Sequence, residues 1–285
     1  MNELKIIECP RDAMQGIKGF IPTTTKIDYI NKLLKVGFDT IDFGSFVSPL
    51  AIPQMRDTSE VLDKLDLSST RSKLLAITVN ERGAEDATTF EQIDYLGYPF
   101  SISETFQQRN TNTSIEGSLI RLENIKNTAL KHNKELVVYL SMGFGNHYGD
   151  LWNNDIVLQW IERLKKDFEI SILALSDTVG AATPELISDV LNSVVPEFKN
   201  IEIGVHLHTT PDTYAEKVKA AYDVGCRRFD GAIRGFGGCP MAEDDLVGNM
   251  PTEKMIQWFT ENKIPTHINQ QALEEAIHQS NYVFL

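Results

Sequence analysis

The chain has 285 residues, of which 42% are hydrophobic and 24% are charged, a composition typical of soluble globular proteins. Its formal net charge of −13 argues against nucleic-acid binding, which needs a basic surface. No apolar run reaches the roughly 20 residues that span a bilayer, and the first residues lack the pattern of a secretory signal. Three cysteines (Cys9, Cys226 and Cys239) do not suggest a disulfide framework. We therefore expect a cytoplasmic protein that binds neither nucleic acid nor membrane.

Short apolar or β-branched runs alternate with longer helix-like stretches along the whole chain. We predict strands over residues 4–8, 38–43, 73–79, 98–103, 135–141, 170–176, 201–208 and 227–233. Amphipathic stretches such as 114–133 predict helices between the strands. Pro184 and Pro251 are typical of helix starts, and Gly37 and Gly225 are typical of helix ends.

Eight strand and helix pairs of this kind indicate a (β/α)8 TIM barrel. We expect one such domain over residues 1–285, with the final helices packed on the barrel. A doubly wound open sheet is the structural alternative, but no G-x-G-x-x-G turn follows the first strand. The active site of a TIM barrel lies at the C-terminal rim of its strands. The polar residues at these strand ends are therefore the candidates for function.

Candidate metal ligands occur at this rim. In a strand, side chains at i and i+2 point to the same face, so His206 and His208 would stand side by side. With Asp12 and Asn249 they offer two nitrogen and two oxygen ligands. Imidazole combined with carboxylate suits a divalent metal such as manganese, iron or zinc. The competing interpretation is that the histidines are hydrogen-bonded core residues.

Two further rim residues have a chemical and a structural interpretation. Arg11 is well placed to stabilise an enolate or a carboxylate, although it could also form a weak surface ion pair with Asp12. Cys239 lies in the segment GFGGCP, whose glycines allow close approach to a ligand and movement of the loop. A small buried filler is the alternative for this cysteine.

Five motifs together resemble one known family. CPRDAMQ, SFVSPLAIPQM, SDTVGAATP, VHLH and GFGGCP occur in this order, and they resemble the 3-hydroxy-3-methylglutaryl-CoA lyases of the DRE-TIM metallolyase group. The resemblance covers nearly the whole chain. It implies a (β/α)8 barrel with a bound Mg²⁺ or Mn²⁺ that cleaves 3-hydroxy-3-methylglutaryl-CoA to acetyl-CoA and acetoacetate. It also implies a place in leucine catabolism and ketone body formation.

The resemblance assigns roles residue by residue. It implies that the metal ligands are Asp12, His206, His208 and Asn249. Arg11 would stabilise the enolate of the departing acetyl-CoA, while Cys239 and His206 would move protons. Asp42 stands at a catalytic position at the end of the second strand. We expect the substrate-binding residues to be Gln15, Ser45, Arg109, Asp177 and Thr178.

Several positions depart from the pattern of the group. Asp42 stands where a glutamate is usual, Ile7 replaces an acid, and Thr209 replaces an aspartate. Glu8 is adjacent to Ile7, but on a strand it would face the other way. The loop after the fifth strand reads GFGNHYGD rather than containing Cys-Pro-Tyr, and the segment from Cys239 to Asn249 is longer by one residue. These changes surround the acyl group rather than the metal.

The departures leave other functions open. A lyase or aldolase of the same superfamily could act on a different 3-hydroxy acyl-CoA or on a hydroxy-keto acid. A metal-binding barrel without catalysis is a further alternative, but the retention of Arg11, both histidines and Cys239 at one rim argues against it. We expect an acyl-CoA as the substrate and a homodimer or higher homo-oligomer as the assembly.

Overall fold

The centre of the molecule is a closed barrel of parallel strands. The structure is a computed structural model that describes residues 3–210, 212–238 and 248–285. In chain order the strands are Lys5–Glu8 (β1), Thr40–Ser45 (β2), Lys73–Ile77 (β3), Tyr95–Ser101 (β4), Glu135–Ser141 (β5), Ile172–Ser176 (β6), Glu202–His206 (β7), His208–Thr209 (β8), Arg228–Gly231 (β9) and Gly248–Asn249 (β10). The barrel consists of β1 to β7 and β9, while β8 and β10 form a separate antiparallel pair. The predicted (β/α)8 barrel is confirmed.

Helices surround the barrel between successive strands. In the described part of the chain they are Pro10–Gln15 (α1), Thr23–Leu33 (α2), Thr58–Leu62 (α3), Glu81–Thr88 (α4), Glu104–Thr111 (α5), Ile115–Lys131 (α6), Asn154–Phe168 (α7), Pro184–Val194 (α8), Tyr214–Asp223 (α9), Thr252–Glu261 (α10) and Gln270–Phe284 (α11). The hydroxyl of Thr183 accepts from the backbone N–H of Leu186 at 3.2 Å and so caps α8 before Pro184. Gly37 and Gly225 have left-handed φ angles of 88° and 98° where the chain turns after α2 and α9.

The last helix packs against α2. Tyr29 contacts Phe284 edge-on, with 5.8 Å between the ring centroids, and Lys32 pairs with Glu275 at 2.7 Å. Among the described helices, no segment combines the length and the apolar character needed to cross a bilayer.

Two predicted strand boundaries were wrong. β4 begins at Tyr95, three residues before the predicted start, because the chain pairs with β3 through Gly97 and a glycine inside a strand weakens the sequence pattern. The predicted strand through His208 ends at His206. Beyond Leu207 the chain leaves the barrel, and His208 then pairs with Asn249 in the separate antiparallel pair. The two histidines therefore belong to different strands.

The interior of the barrel has two chemically different halves. The apolar half is formed by side chains of β3 to β6, namely Leu75, Ile77, Tyr95, Val137, Tyr139, Ile172 and Ala174. The polar half is formed by β1, β2, β7 and β9. There Arg228 donates to Glu202 at 3.1 Å, and His206 lies 3.3 Å from Asp230. A larger apolar core fills the space between the barrel and the helices. The polar half leads up to the C-terminal rim.

Candidate metal centre and active site

Arg11 and Asp12 reach the rim because α1 begins directly after β1. Pro10 occupies the first helical position, where its missing N–H costs nothing. Both side chains are buried, with 8% and 7% of their surfaces exposed. The Nε of Arg11 lies 3.2 and 3.1 Å from the two carboxylate oxygens of Asp42, and its Nη2 donates to Oδ2 at 2.5 Å. This forked pairing fixes the plane of the guanidinium.

Asp12 connects α1 with β10. Its Oδ1 accepts from Nη1 of Arg11 at 3.0 Å and from Nε2 of Gln15 at 2.8 Å. Its Oδ2 accepts from Nδ2 of Asn249 at 2.7 Å. Nη1 of Arg11 also donates to Oε1 of Gln15 at 3.0 Å. Together with Asp42, which is bonded to Arg11, five of the predicted site residues therefore form one hydrogen-bonded group.

The two histidines complete a group with the donor types of a metal centre. The rings of His206 and His208 have centroids 5.6 Å apart, and one potential ligand atom from each lies within 4.8 Å of the others and of an oxygen of Asp12. Within the described residues, Nε2 of His208 and Oδ1 of Asn249 are buried without a hydrogen-bond partner. Buried polar atoms are normally paired. Two unpaired acceptor atoms beside a carboxylate therefore fit a divalent cation.

The electrostatics at His208 and Asp12 favour the forms that bind metals. Burial, followed by the neighbouring His206, lowers the pKa of His208 to about 4, so this ring is neutral and able to ligate. Burial alone would raise the pKa of Asp12, but Arg11 and the histidines outweigh it and the pKa is lowered. Burial raises the pKa of Asp42 to about 6 against the opposing charge of Arg11.

Asp177 and Thr178, which follow β6, are engaged with the protein itself. Oδ1 of Asp177 accepts from the backbone N–H of Ala182 at 3.0 Å, and Oδ2 pairs with Lys217 at 3.3 Å. Lys217 also donates to the backbone oxygen of His208 at 2.6 Å. The hydroxyl of Thr178 accepts from the backbone N–H of Met142 at 2.9 Å. In this structure both residues support the backbone beside the metal centre.

The remaining predicted residues lie in different settings. Ser45 is buried at the end of β2, and its hydroxyl has no hydrogen-bond partner among the described residues. Arg109 is exposed on α5, where its guanidinium lies 4.7 Å from the ring centroid of Tyr148. Cys239 lies outside the described residues. The predicted residues that the structure brings together are Arg11, Asp12, Gln15, Asp42, His206, His208 and Asn249.

One residue of the site was missed from the sequence. Asp230 of β9 is 2% exposed and lies 3.3 Å from Nδ1 of His206. A second possible metal-binding group consists of Cys9, His206 and Asp230, with ligand atoms within 4.8 Å of one another. The alternation in RRFDGAI carried the signal, because Arg228 and Asp230 share the face that points into the barrel.

Glu8 faces away from this site, as the strand alternation predicts. Its carboxylate accepts from the hydroxyl of Thr252 at 2.5 Å and from the backbone N–H of Ile233 at 2.9 Å. Because Glu8 is fully buried, its pKa is raised to about 8 despite these two hydrogen bonds. Glu8 therefore does not replace the acid that the resemblance places at Ile7.

The fold and the site together define a (β/α)8 barrel with a group of residues at its C-terminal rim that could hold a metal ion. The model of the HMGL-like family matches residues 4–279, so the chain belongs to the HMGL-like family. The resemblance seen in the five motifs is confirmed.

Relatives match over almost the whole chain. The hydroxymethylglutaryl-CoA lyase YngG of Bacillus subtilis is 34% identical over 270 residues, which cover 94% of this chain and 88% of the relative. The mitochondrial hydroxymethylglutaryl-CoA lyase of Rattus norvegicus is 32% identical, covering 96% and 84%. The structure of an HMG-CoA lyase from Acinetobacter baumannii in complex with coenzyme A and 3-methylmalate superposes with a TM-score of 0.90 at 30% identity, covering 99% and 91%.

Proposed function

We propose that this protein is a divalent-metal-dependent carbon–carbon lyase that cleaves 3-hydroxy-3-methylglutaryl-CoA to acetyl-CoA and acetoacetate. Family membership and relatives named as lyases of this substrate support the proposal. A similar solved structure contains coenzyme A, which supports an acyl-CoA as the substrate. The observation that carries the proposal is the buried group of Asp12, His206 and His208 beside Arg11.

The metal would be held by Asp12, His206, His208 and Asn249, and Mg²⁺ or Mn²⁺ suits this mixture of oxygen and nitrogen donors. When bound, it supplies a positive charge that eases loss of the proton from the substrate hydroxyl. The amide nitrogen of Asn249 already donates to Asp12, which leaves the amide oxygen as its free ligand atom.

Arg11 would stabilise the negative charge of the departing enolate. Cleavage of the carbon–carbon bond leaves an electron pair on the acetyl-CoA fragment, and a fixed cation stabilises that charge without reorganising. Asp42, Asp12 and Gln15 hold the guanidinium from three sides. Asp42 would therefore act through Arg11, whose orientation it fixes.

The proton transfers would use His206 and Cys239. His206 would take part in moving the hydroxyl proton, and the thiol of Cys239 would donate a proton to the enolate carbon. Brief treatment with iodoacetamide followed by peptide mapping tests the second role. Cys239 should be alkylated first, and a bound acyl-CoA should protect it. Slow labelling that is the same with and without acyl-CoA would exclude Cys239 as the proton donor. Cys9 and Cys226 are buried with raised pKa values and serve as internal controls.

The substrate-binding residues are proposed to be Gln15, Ser45, Arg109, Asp177 and Thr178. Gln15 is in hydrogen-bond contact with Arg11 and Asp12, which supports a place for it near the acyl group. The unpaired hydroxyl of Ser45 among the described residues supports a contact with a polar ligand. Arg109 is exposed on α5, where a cation could meet the phosphates of coenzyme A.

We further propose a cytoplasmic enzyme that works in leucine catabolism and ketone body formation. A single domain over residues 1–285 and a homodimer or higher homo-oligomer are proposed with it. Relatives include proteins named as mitochondrial and as cytoplasmic. Fractionation of the native cell and sedimentation of the purified chain measure the location and the assembly.

A direct assay tests the activity. The metal-free protein should release acetoacetate from 3-hydroxy-3-methylglutaryl-CoA only after addition of Mg²⁺ or Mn²⁺. A panel of other 3-hydroxy acyl-CoA thioesters and hydroxy-keto acids decides whether the changes at Ile7 and Asp42 have altered the acyl group. Turnover of another panel member alone would contradict the proposed substrate, and absence of any turnover would contradict the lyase.

A further inference from the structure

We infer that Asp230 is a positioning residue that holds His206 in the tautomer needed at the metal centre. The inference rests on the proposed function for its meaning in catalysis, but its geometry stands on the described structure. His206 and Asp230 are paired residues in the parallel register of β7 and β9. Asp230 is fully buried, the His206 side chain is 13% exposed, and Nδ1 of His206 lies 3.3 Å from Oδ2 of Asp230.

The pair has a direct chemical consequence. An imidazole that donates its Nδ1–H to a carboxylate keeps the lone pair on Nε2. Nε2 can then bind a metal or accept a proton, while the ring plane is fixed from behind. In the same barrel interior, Ile7 of β1 pairs in register with the other side of Asp230. An apolar, fully buried neighbour at that position leaves His206 as the hydrogen-bonded partner of Asp230.

A cation lies near Asp230 inside the barrel. Arg228 lies two residues earlier on the same face of β9, and its guanidinium is paired with Glu202 at 3.1 Å. Gly204 makes room for this arginine, because a Cβ there would lie 2.7 Å from Cδ of Arg228. From the bottom of the barrel towards the rim, Glu202, Arg228 and Asp230 thus alternate in sign, and His206 follows them.

The tautomer can be measured in the wild-type protein without any substitution. In nitrogen-15 spectra of histidine-labelled, metal-free protein at alkaline pH, the signal of His206 should show the hydrogen on Nδ1. The chain has six histidines, and His206→Gln identifies the signal by its disappearance. A His206 ring with its hydrogen on Nε2 would overturn the inference directly, whatever the variants do.

The variant Asp230→Asn keeps the size of the side chain and removes its charge. Loss of such an outer partner typically weakens metal binding or activity by about 10- to 100-fold. We expect this weakening in Mn²⁺ titrations by calorimetry, and a similar fall in kcat with little change in the KM for the acyl-CoA. Tyr139→Phe is the matched control, because the Tyr139 ring packs edge-on against the same histidine and its hydroxyl has no hydrogen-bond partner among the described residues.

The outcomes separate the inference from the proposed function. Wild-type affinity for Mn²⁺ in Asp230→Asn, or equal weakening in Tyr139→Phe, would show that the carboxylate does not position His206. Those titrations and the spectra need no substrate. They therefore still decide the role of Asp230 if the chain cleaves no acyl-CoA, and an active wild type with an unaffected variant would leave the lyase intact.

Discussion

The two halves of the barrel interior are filled by chemically different side chains. The apolar half fills its space with aliphatic and aromatic side chains from β3 to β6. The polar half contains Asp42, His206, Arg228 and Asp230 at inward-facing positions. Each buried charge there has an opposite charge nearby, since an unpaired one would be costly. The difference separates a half that stabilises the fold from a half that performs chemistry.

Each half contains one glycine that gives space to a neighbour on the next strand. A Cβ at Gly97 would lie 2.5 Å from Cδ1 of Ile77, and one at Gly204 would lie 2.7 Å from Cδ of Arg228. The missing side chain of a glycine therefore makes room for an aliphatic side chain in one half and for the side chain of an arginine in the other. Substitutions in the two halves should consequently affect different measurable properties.

The largest effect is expected from removing a metal ligand in the polar half. Asp12→Ala or His208→Ala should abolish stoichiometric binding of Mn²⁺, because each removes a ligand that the other groups cannot replace. Folding should persist, since both residues lie at the rim. Elemental analysis and circular dichroism of the purified variants measure the two properties. His132→Ala, on the exposed end of α6, is the control, and unchanged metal content in the double variant would remove Asp12 and His208 from the site.

The next effect concerns turnover. Arg11→Met should lower kcat by about 100- to 1000-fold, equivalent to roughly 3–4 kcal/mol, because the contact is made mainly in the transition state. The KM should change much less. Arg11→Lys should restore only part of the rate, since an ammonium cannot form the forked contact with Asp42. A dominant rise in KM would instead make Arg11 a substrate-binding residue.

A substitution in the apolar half should lower the stability of the fold and leave metal binding unchanged. Leu75→Ala truncates a fully buried side chain and should lower the free energy of unfolding by about 2–5 kcal/mol. Urea denaturation measures this loss, and calorimetry with the folded variant should show an unchanged affinity for Mn²⁺. Weakened metal binding with little loss of stability would mean that the two halves are not separable.

The smallest effect is a dependence of stability on pH from Glu8, behind the polar half. Its pKa of about 8 in the folded chain exceeds the ordinary value of 4.5. Between these values the folded state binds more protons, so stability falls as pH rises and levels off above the folded pKa. From pH 6 to 7, ionisation of Glu8 should lower the free energy of unfolding by about 1 kcal/mol. In urea titrations with a chelator present, Glu8→Gln should lack this part of the pH dependence. If the free energy of unfolding of both proteins fell equally with pH, Glu8 would not be its source.

The sequence predicted the barrel and most of the metal centre because both depend on local patterns. Strand alternation and parallel registration place strand ends at one rim, so Asp12, His206 and Asn249 could be grouped before their distances were known. The break at Leu207 was not predictable, because it depends on pairing of His208 with Asn249. Asp230 was missed for a related reason. Asp230 matters because it lies beside His206 of β7. The sequence of β9 alone does not show which residue of β7 is its neighbour.

The short antiparallel pair of β8 and β10 also bears on how the family can diversify. His208 and Asn249 are opposite each other in that pair, and Met250 donates to the backbone oxygen of Leu207 at 3.1 Å. The ribbon fixes Asn249 independently of the number of residues between Cys239 and this position. A different number of residues in that stretch, such as the one extra residue that the resemblance indicates here, would therefore not displace Asn249. The residues between Cys239 and Asn249 can then change, and substrate preference with them, while His208 and Asn249 keep their positions.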